Sequence, residues 1–216
     1  MRIMWITSPD VSTGGWSTNG RSKKPDPERF GEQESRRSKR RKELKSMEYE
    51  HIEHTFPPVW DAASEILILG TLPSVKSREN RFYYGHKQNR FWKVVAKLCE
   101  EPVPETIEEK KKMLLAHHIA VWDVIQSCDI KGSSDSSIRN VEPTDIRRIL
   151  SESQITGIYA NGNKAGELYR KYQLPLTGIR AVVLPSTSPA NAAWSLEKLC
   201  EAWEKSIRGG ISGGSY

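Results

Sequence analysis

The residues Ile66-Leu67-Ile68-Leu69-Gly70-Thr71-Leu72-Pro73-Ser74 decide how this chain folds. Four consecutive aliphatic residues do not suit a half-exposed strand, which would alternate with polar positions; they suit a strand buried on both faces, as in the middle of a parallel sheet. The run stops at a glycine and enters a loop of small residues and proline. In an open α/β sheet, loops at the carboxyl ends of strands line the ligand crevice. Outward from this stretch, three more short apolar runs read as strands: Ala120 to Val124, Ile155 to Ala160 and Ala181 to Leu184. Between them, apolar residues recur at helical spacing: Phe91, Val95 and Leu98; Ile146, Ile149 and Leu150; Leu168, Tyr169 and Tyr172; Leu196, Leu199, Cys200 and Trp203. Thr144, after Pro143, is placed to cap a helix start. The alternation predicts an α/β protein with three α/β/α layers around a short, mostly parallel four-stranded sheet.

Charge divides the chain. Residues 1–46 carry 12 Lys and Arg against 6 Asp and Glu, while the other 170 residues balance at 21 of each, so the net charge of +6 resides in the leader. That leader, rich in Ser, Gly, Pro and charge, cannot bury enough apolar surface to offset its ordering entropy. The expected organisation is a disordered basic leader at 1–46, one folded domain at 47–208 and a flexible tail at 209–216. The neutral domain still has a basic window: from Lys76 to Lys97 seven Lys and Arg meet one acid, Glu79. Either this is a solvated face or it meets a polyanion. The three cysteines, Cys99, Cys128 and Cys200, are odd in number and far apart, which argues against a disulfide framework, a zinc site or an iron–sulfur cluster. No apolar run approaches the roughly 18 residues of a membrane span. The expectation is a soluble intracellular protein without metal or cofactor.

A second loop resembles the first in composition. Leu184-Pro185-Ser186-Thr187-Ser188-Pro189-Ala190-Asn191 also follows an apolar run, and it precedes a helical pattern whose start favours anions. Residues Gly70 to Ser77 nearly match the phosphate-binding pattern G-x-x-x-x-G-K-[ST], but Val75 stands where the second glycine must let the backbone bend around phosphates. A nucleotide phosphatase or kinase is therefore the weaker reading of that loop.

Gly70 to Ser74, Phe82-Tyr83-Tyr84-Gly85-His86 and Asn89-Arg90-Phe91-Trp92 closely resemble the first motif region of the uracil-DNA glycosylase superfamily, above all its DNA-deoxyinosine (hypoxanthine-DNA) glycosylase branch. Ser186 to Asn191 resembles the superfamily's second motif, the loop that enters DNA. The resemblance covers roughly residues 56–207. It implies a monofunctional glycosylase that flips a deaminated base out of DNA and removes it by water attack, with hypoxanthine the preferred base. Uracil or mismatch excision is the alternative within the superfamily, and a catalytically inactive DNA-binding relative is the alternative outside enzymes. No metal or cofactor is implied. DNA is the partner, the chain acts as a monomer, and the site of action is the cytoplasm, at the nucleoid, or another DNA-containing compartment.

The resemblance also assigns candidate residues. Mismatch-specific relatives hold the attacking water with an asparagine at the third motif position; here Leu72 stands there, and an alkyl group cannot orient water. The deoxyinosine branch is similar in lacking that residue and uses an asparagine from the following helix, which points to Asn89; the same residue type is also a favoured helix cap. Tyr84 matches the aromatic that stacks on the extruded base, or is a core aromatic. His86 bonds the leaving base or a phosphate, or braces its loop. Thr71, Leu72, Tyr84, His86 and Asp123 make up the expected base pocket. Ser74, Ser77, Ser186, Thr187 and Ser188 are expected on DNA phosphates, with Pro189, Ala190 and Asn191 as the wedge that fills the vacated stack. Asp135, in the loop after Gly132, is either a second pocket carboxylate or a turn residue, and Asn161-Gly162-Asn163 is read as shaping a turn. No lysine in these motifs is placed as an imine-forming nucleophile, so strand cleavage is not expected.

Overall fold

The computed structural model describes residues 48–132 and 134–212. The leader, Met47, Ser133 and residues 213–216 lie outside the described residues. In chain order the elements are β1 (Tyr49–Glu53), β2 (Ile66–Gly70), α1 (Val75–Asn80), α2 (Phe91–Leu98), α3 (Ile107–Ala116), β3 (Ile119–Asp123), β4 (Ile125–Lys131), β5 (Arg139–Pro143), α4 (Arg147–Glu152), β6 (Gly157–Asn161), α5 (Asn163–Tyr172), α6 (Leu174–Thr177), β7 (Ala181–Leu184) and α7 (Leu196–Ser212).

All five residues of β2 are buried. It pairs in parallel with β3 on one side and β6 on the other, and β7 adds in parallel beyond β6, giving the order β3-β2-β6-β7. Alternation along β2 then feeds two cores. Ile66 and Ile68 pack with Phe91, Val94, Met113, Leu114 and Trp203 from α2, α3 and α7. Leu67 and Leu69 pack with Ile149, Leu168 and Tyr169 from α4 and α5. Burying each such side chain contributes about 1.5–3 kcal/mol, which is why this run sits at the centre. The three expected layers are present.

A second sheet was not foreseen. β4 follows β3 after the single residue Val124 and joins an antiparallel sheet in the order β1-β4-β5. Its outer strands bury little: only Ile52 of β1 is buried, and β5 has no buried residue. Their pairing therefore leaves no strong apolar period in the sequence.

Boundaries moved where the backbone found other partners. The third strand of the parallel sheet starts at Gly157 rather than Ile155, although Ile155 is buried in the second core. Thr144 does not cap α4: it is buried, and its hydroxyl donates to the carbonyls of Asp123 (2.8 Å) and Val124 (3.2 Å). Asp145 Oδ1 instead accepts from Arg147 N–H at the start of that helix. α7 runs to Ser212, so the helix extends four residues past the expected tail boundary. No helix among the described residues is long and apolar enough to cross a membrane.

Candidate active site

The carboxyl ends of the parallel strands deliver their loops to one cleft of about 700 Å³, a volume in the range of ligand pockets. Its walls include Gly70 to Ser74 after β2, Asp123 at the end of β3, Asn161 to Lys164 after β6, and Ser186, Ser188, Pro189 and Ala190 after β7. Tyr84, His86 and Asn89 also line it. The two serine loops, separated by more than a hundred residues, thus face the same space. Two glycines permit the crowding. A Cβ on Gly70 would lie 2.2 Å from Asp123 Oδ1, and Gly162, at φ +103°, would place one 2.9 Å from Ser186 Cβ.

The floor is a carboxylate. Asp123 is 4% exposed, and its Oδ2 accepts from His54 Nε2 at 3.1 Å. His54 is itself buried, with its ring centroid 4.4 Å from that of Phe56 and 5.9 Å from that of Tyr83. A buried carboxylate is costly unless hydrogen-bonded, and His54 supplies a donor to one oxygen while the other lies against Gly70. Burial first, and the charge of Asp123 second, hold the Tyr83 and Tyr84 phenols far above the ordinary tyrosine range, so both remain protonated donors. Tyr83 donates to the Pro57 carbonyl at 3.0 Å. The Tyr84 hydroxyl, near Asp123 and Asn161, is buried with no well-formed hydrogen bond among the described residues.

The first loop is braced by its own hydroxyls. Ser74 caps α1 by accepting from Ser77 N–H at 3.2 Å; the Ser74 and Ser77 hydroxyls are 3.0 Å apart, and Ser77 Oγ accepts from Gly85 N–H at 3.1 Å. This last bond folds residues 83–86 back over the loop. Tyr84 turns at φ 52°, an uncommon conformation for a non-glycine residue, and stacks one face on Phe91 at 3.7 Å between centroids. Asn89 Oδ1 accepts from Phe91 N–H at 3.0 Å, a turn just ahead of α2 whose N-cap is the next residue, Arg90, while Asn89 itself borders the cleft. His86 Nδ1 accepts from Gln88 N–H, which leaves the proton on Nε2.

The model of the Uracil DNA glycosylase superfamily matches residues 57–207 of this chain. The chain belongs to that superfamily. It is 37% identical over 163 residues to the hypoxanthine DNA glycosylase of Methanosarcina acetivorans, covering 73% of this chain and 99% of the relative. A hypoxanthine DNA glycosylase of Methanosarcina barkeri is 30% identical over 155 residues, covering 71% of this chain and 96% of that protein. A solution NMR structure of a Methanosarcina acetivorans protein, described as a candidate uracil DNA glycosylase, superimposes with a TM-score of 0.62 at 37% identity, covering 72% of this chain and 96% of that one.

Within this superfamily member the second loop is held from afar. Thr187 is fully buried, its N–H and hydroxyl bonded to the Asn161 side chain at 3.0 and 2.9 Å. Its side chain therefore braces the loop and does not reach a phosphate. Asn191 likewise turns inward, its amide donating to the Ser186 carbonyl, and Pro189 and Ala190 form the exposed tip. Ser77, expected on DNA, is buried in the first loop's network. Thr71, Leu72, Ser74, Ser186 and Ser188 do border the cleft, as does the exposed Asp135. Three residues in these contacts were missed from sequence: His54, which lies in no motif; Asn161, read only as a turn; and Arg90, whose side chain engages the second loop.

Proposed function

We propose that this chain excises hypoxanthine from DNA by hydrolysing the N-glycosidic bond, leaving an abasic site. The observation that carries the reading is the convergence of both loops, Asn89 and Asp123 on one cleft. The two named hypoxanthine DNA glycosylases, alike over nearly their whole lengths, support it.

Extruding a nucleotide costs a few kcal/mol and least for a mispaired base, which favours hypoxanthine opposite thymine or cytosine. The purine enters against Tyr84, whose other face is already taken by Phe91. The edge of hypoxanthine carries an N1–H donor that suits the Asp123 carboxylate at the cleft floor, through the oxygen that His54 does not engage, whereas adenine offers a lone pair there and is repelled. His54 fixes the carboxylate's orientation and spreads its charge. Asn89 Oδ1 has two lone pairs, one used by Phe91 N–H; the second aims a water at the sugar carbon. His86 Nε2–H donates to the departing base or a phosphate. Ser74, Ser186 and Ser188 grip the backbone, and its phosphates stabilise positive charge developing on the sugar. Lys76 and Lys164 reach the rim but pair with Glu79 (2.6 Å) and Glu167 (3.4 Å), which supports water rather than an amine as nucleophile. The chain works on DNA as a monomer, in an intracellular compartment that holds DNA.

Uracil presents a similar N–H beside carbonyl oxygens, so the choice of base is settled by assay. Matched duplexes carrying inosine, xanthine, uracil or adenine at one position are incubated with the full chain, and free base is measured. Hypoxanthine release fastest and adenine release absent is the expected order; faster uracil release would replace the substrate.

A further inference from the structure

Arg90 lies beside Asn89 at the start of α2, and every hydrogen bond of its guanidinium goes to backbone carbonyls of the second loop. Nε donates to Thr187 O at 3.3 Å, Nη2 to Ser188 O at 2.6 Å and to Asn191 O at 3.0 Å, and Nη1 to Trp194 O. Its backbone N–H also donates to Thr187 O at 3.1 Å. A guanidinium ordinarily pairs with a carboxylate; among the described residues none pairs with this one.

Four consequences meet here. Carbonyls drawn inward onto the fork do not face the DNA phosphates, which they would repel. The unpaired positive charge sits directly behind a loop expected to meet a polyanion. The fork touches both turns of the loop, Ser188 to Asn191 and Asn191 to Trp194, and by holding both ends of the first turn sets the height of the Pro189–Ala190 tip at its centre. Asn89 is fastened separately, by Phe91 N–H. Removing the guanidinium therefore frees the loop without releasing the asparagine.

We propose that Arg90 is a positioning residue that holds the second loop in the shape that opens duplex DNA. This rests on the excision reading above and adds a signature that reading alone does not have: dependence on Arg90 should appear on duplex and fade on single strands, whose base needs no wedge to leave a stack. A lysine cannot reproduce the fork, because it has one nitrogen to reach carbonyls spread over eight residues.

The test uses the full chain, Arg90→Gln and Arg90→Lys, in single-turnover excision at saturating protein on one inosine oligonucleotide, as duplex and as single strand. Misplacing a group remote from the chemistry costs on the order of 10²-fold, so Arg90→Gln should slow duplex excision by about that factor and single-strand excision by less than about 3-fold. Arg90→Lys should fall between and serves if the glutamine variant does not fold. Equal slowing on both forms, or none on the duplex, would overturn the inference alone. No hypoxanthine release by the unmodified chain on either form would overturn the excision reading with it.

Discussion

The loop after β2 keeps its shape with near neighbours: Ser74, Ser77 and Gly85 exchange bonds across three to eight positions. The loop after β7 borrows its partners from distant chain, Asn161 at 26 positions and Arg90 at 97 to 104. The first loop is closed by bonds within its own segment, while the second adds to its local bonds anchors supplied by β6 and by Arg90 beside α2. The wall after β2 is built locally, and the wall after β7 depends more on the completed fold.

Asn89 stands between the two walls and should give the largest single effect. Groups that activate water or move protons contribute about 10²- to 10⁴-fold, so Asn89→Ala should lower single-turnover excision by that order with duplex affinity nearly unchanged. A loss under about 3-fold would leave the residue only its structural turn ahead of α2. Asp123→Asn, at the floor that both walls share, should cut the preference for hypoxanthine over adenine by on the order of 10²-fold, read from competing oligonucleotides. Unaltered discrimination would remove the carboxylate from base reading.

Stability separates the walls directly. Asn161→Ala breaks two buried bonds to Thr187 and should cost about 2–3 kcal/mol in denaturant unfolding, whereas Ser74→Ala, on the solvent-exposed side of the local network, should cost about 1 kcal/mol. The reverse order would break the comparison. The smallest effect is expected at Ser188→Ala, which leaves the loop's anchors in place. It should weaken excision by a similar modest factor on every base, and an effect confined to one base would contradict a backbone-gripping role.

What could be read from sequence follows the same division. Ile66 to Leu69 announced a central strand because both faces of the sheet are covered, and each loop stood out because small residues follow such a strand. Capping signals were present too: Thr106 and Glu109 form the reciprocal cap that starts α3, a helix whose charged run hid its few buried residues. The antiparallel sheet was illegible because β1 and β5 present mostly exposed side chains. His54, Asn161 and Arg90 act across 26 to 104 positions, and nothing local distinguishes an arginine that meets carbonyls from one that meets solvent. Thr187 misled for the same reason: a loop threonine turned inward has the composition of one turned outward.

The most direct test of the shared cleft is incubation of the full chain with a duplex containing one inosine, with free base, alkali-labile sites and borohydride-trapped adducts followed in the same reaction. The account predicts one free hypoxanthine for each alkali-labile site, strands intact before alkali, and no protein–DNA adduct. An intact glycosidic bond, or a trapped covalent adduct with spontaneous strand cleavage, would contradict it.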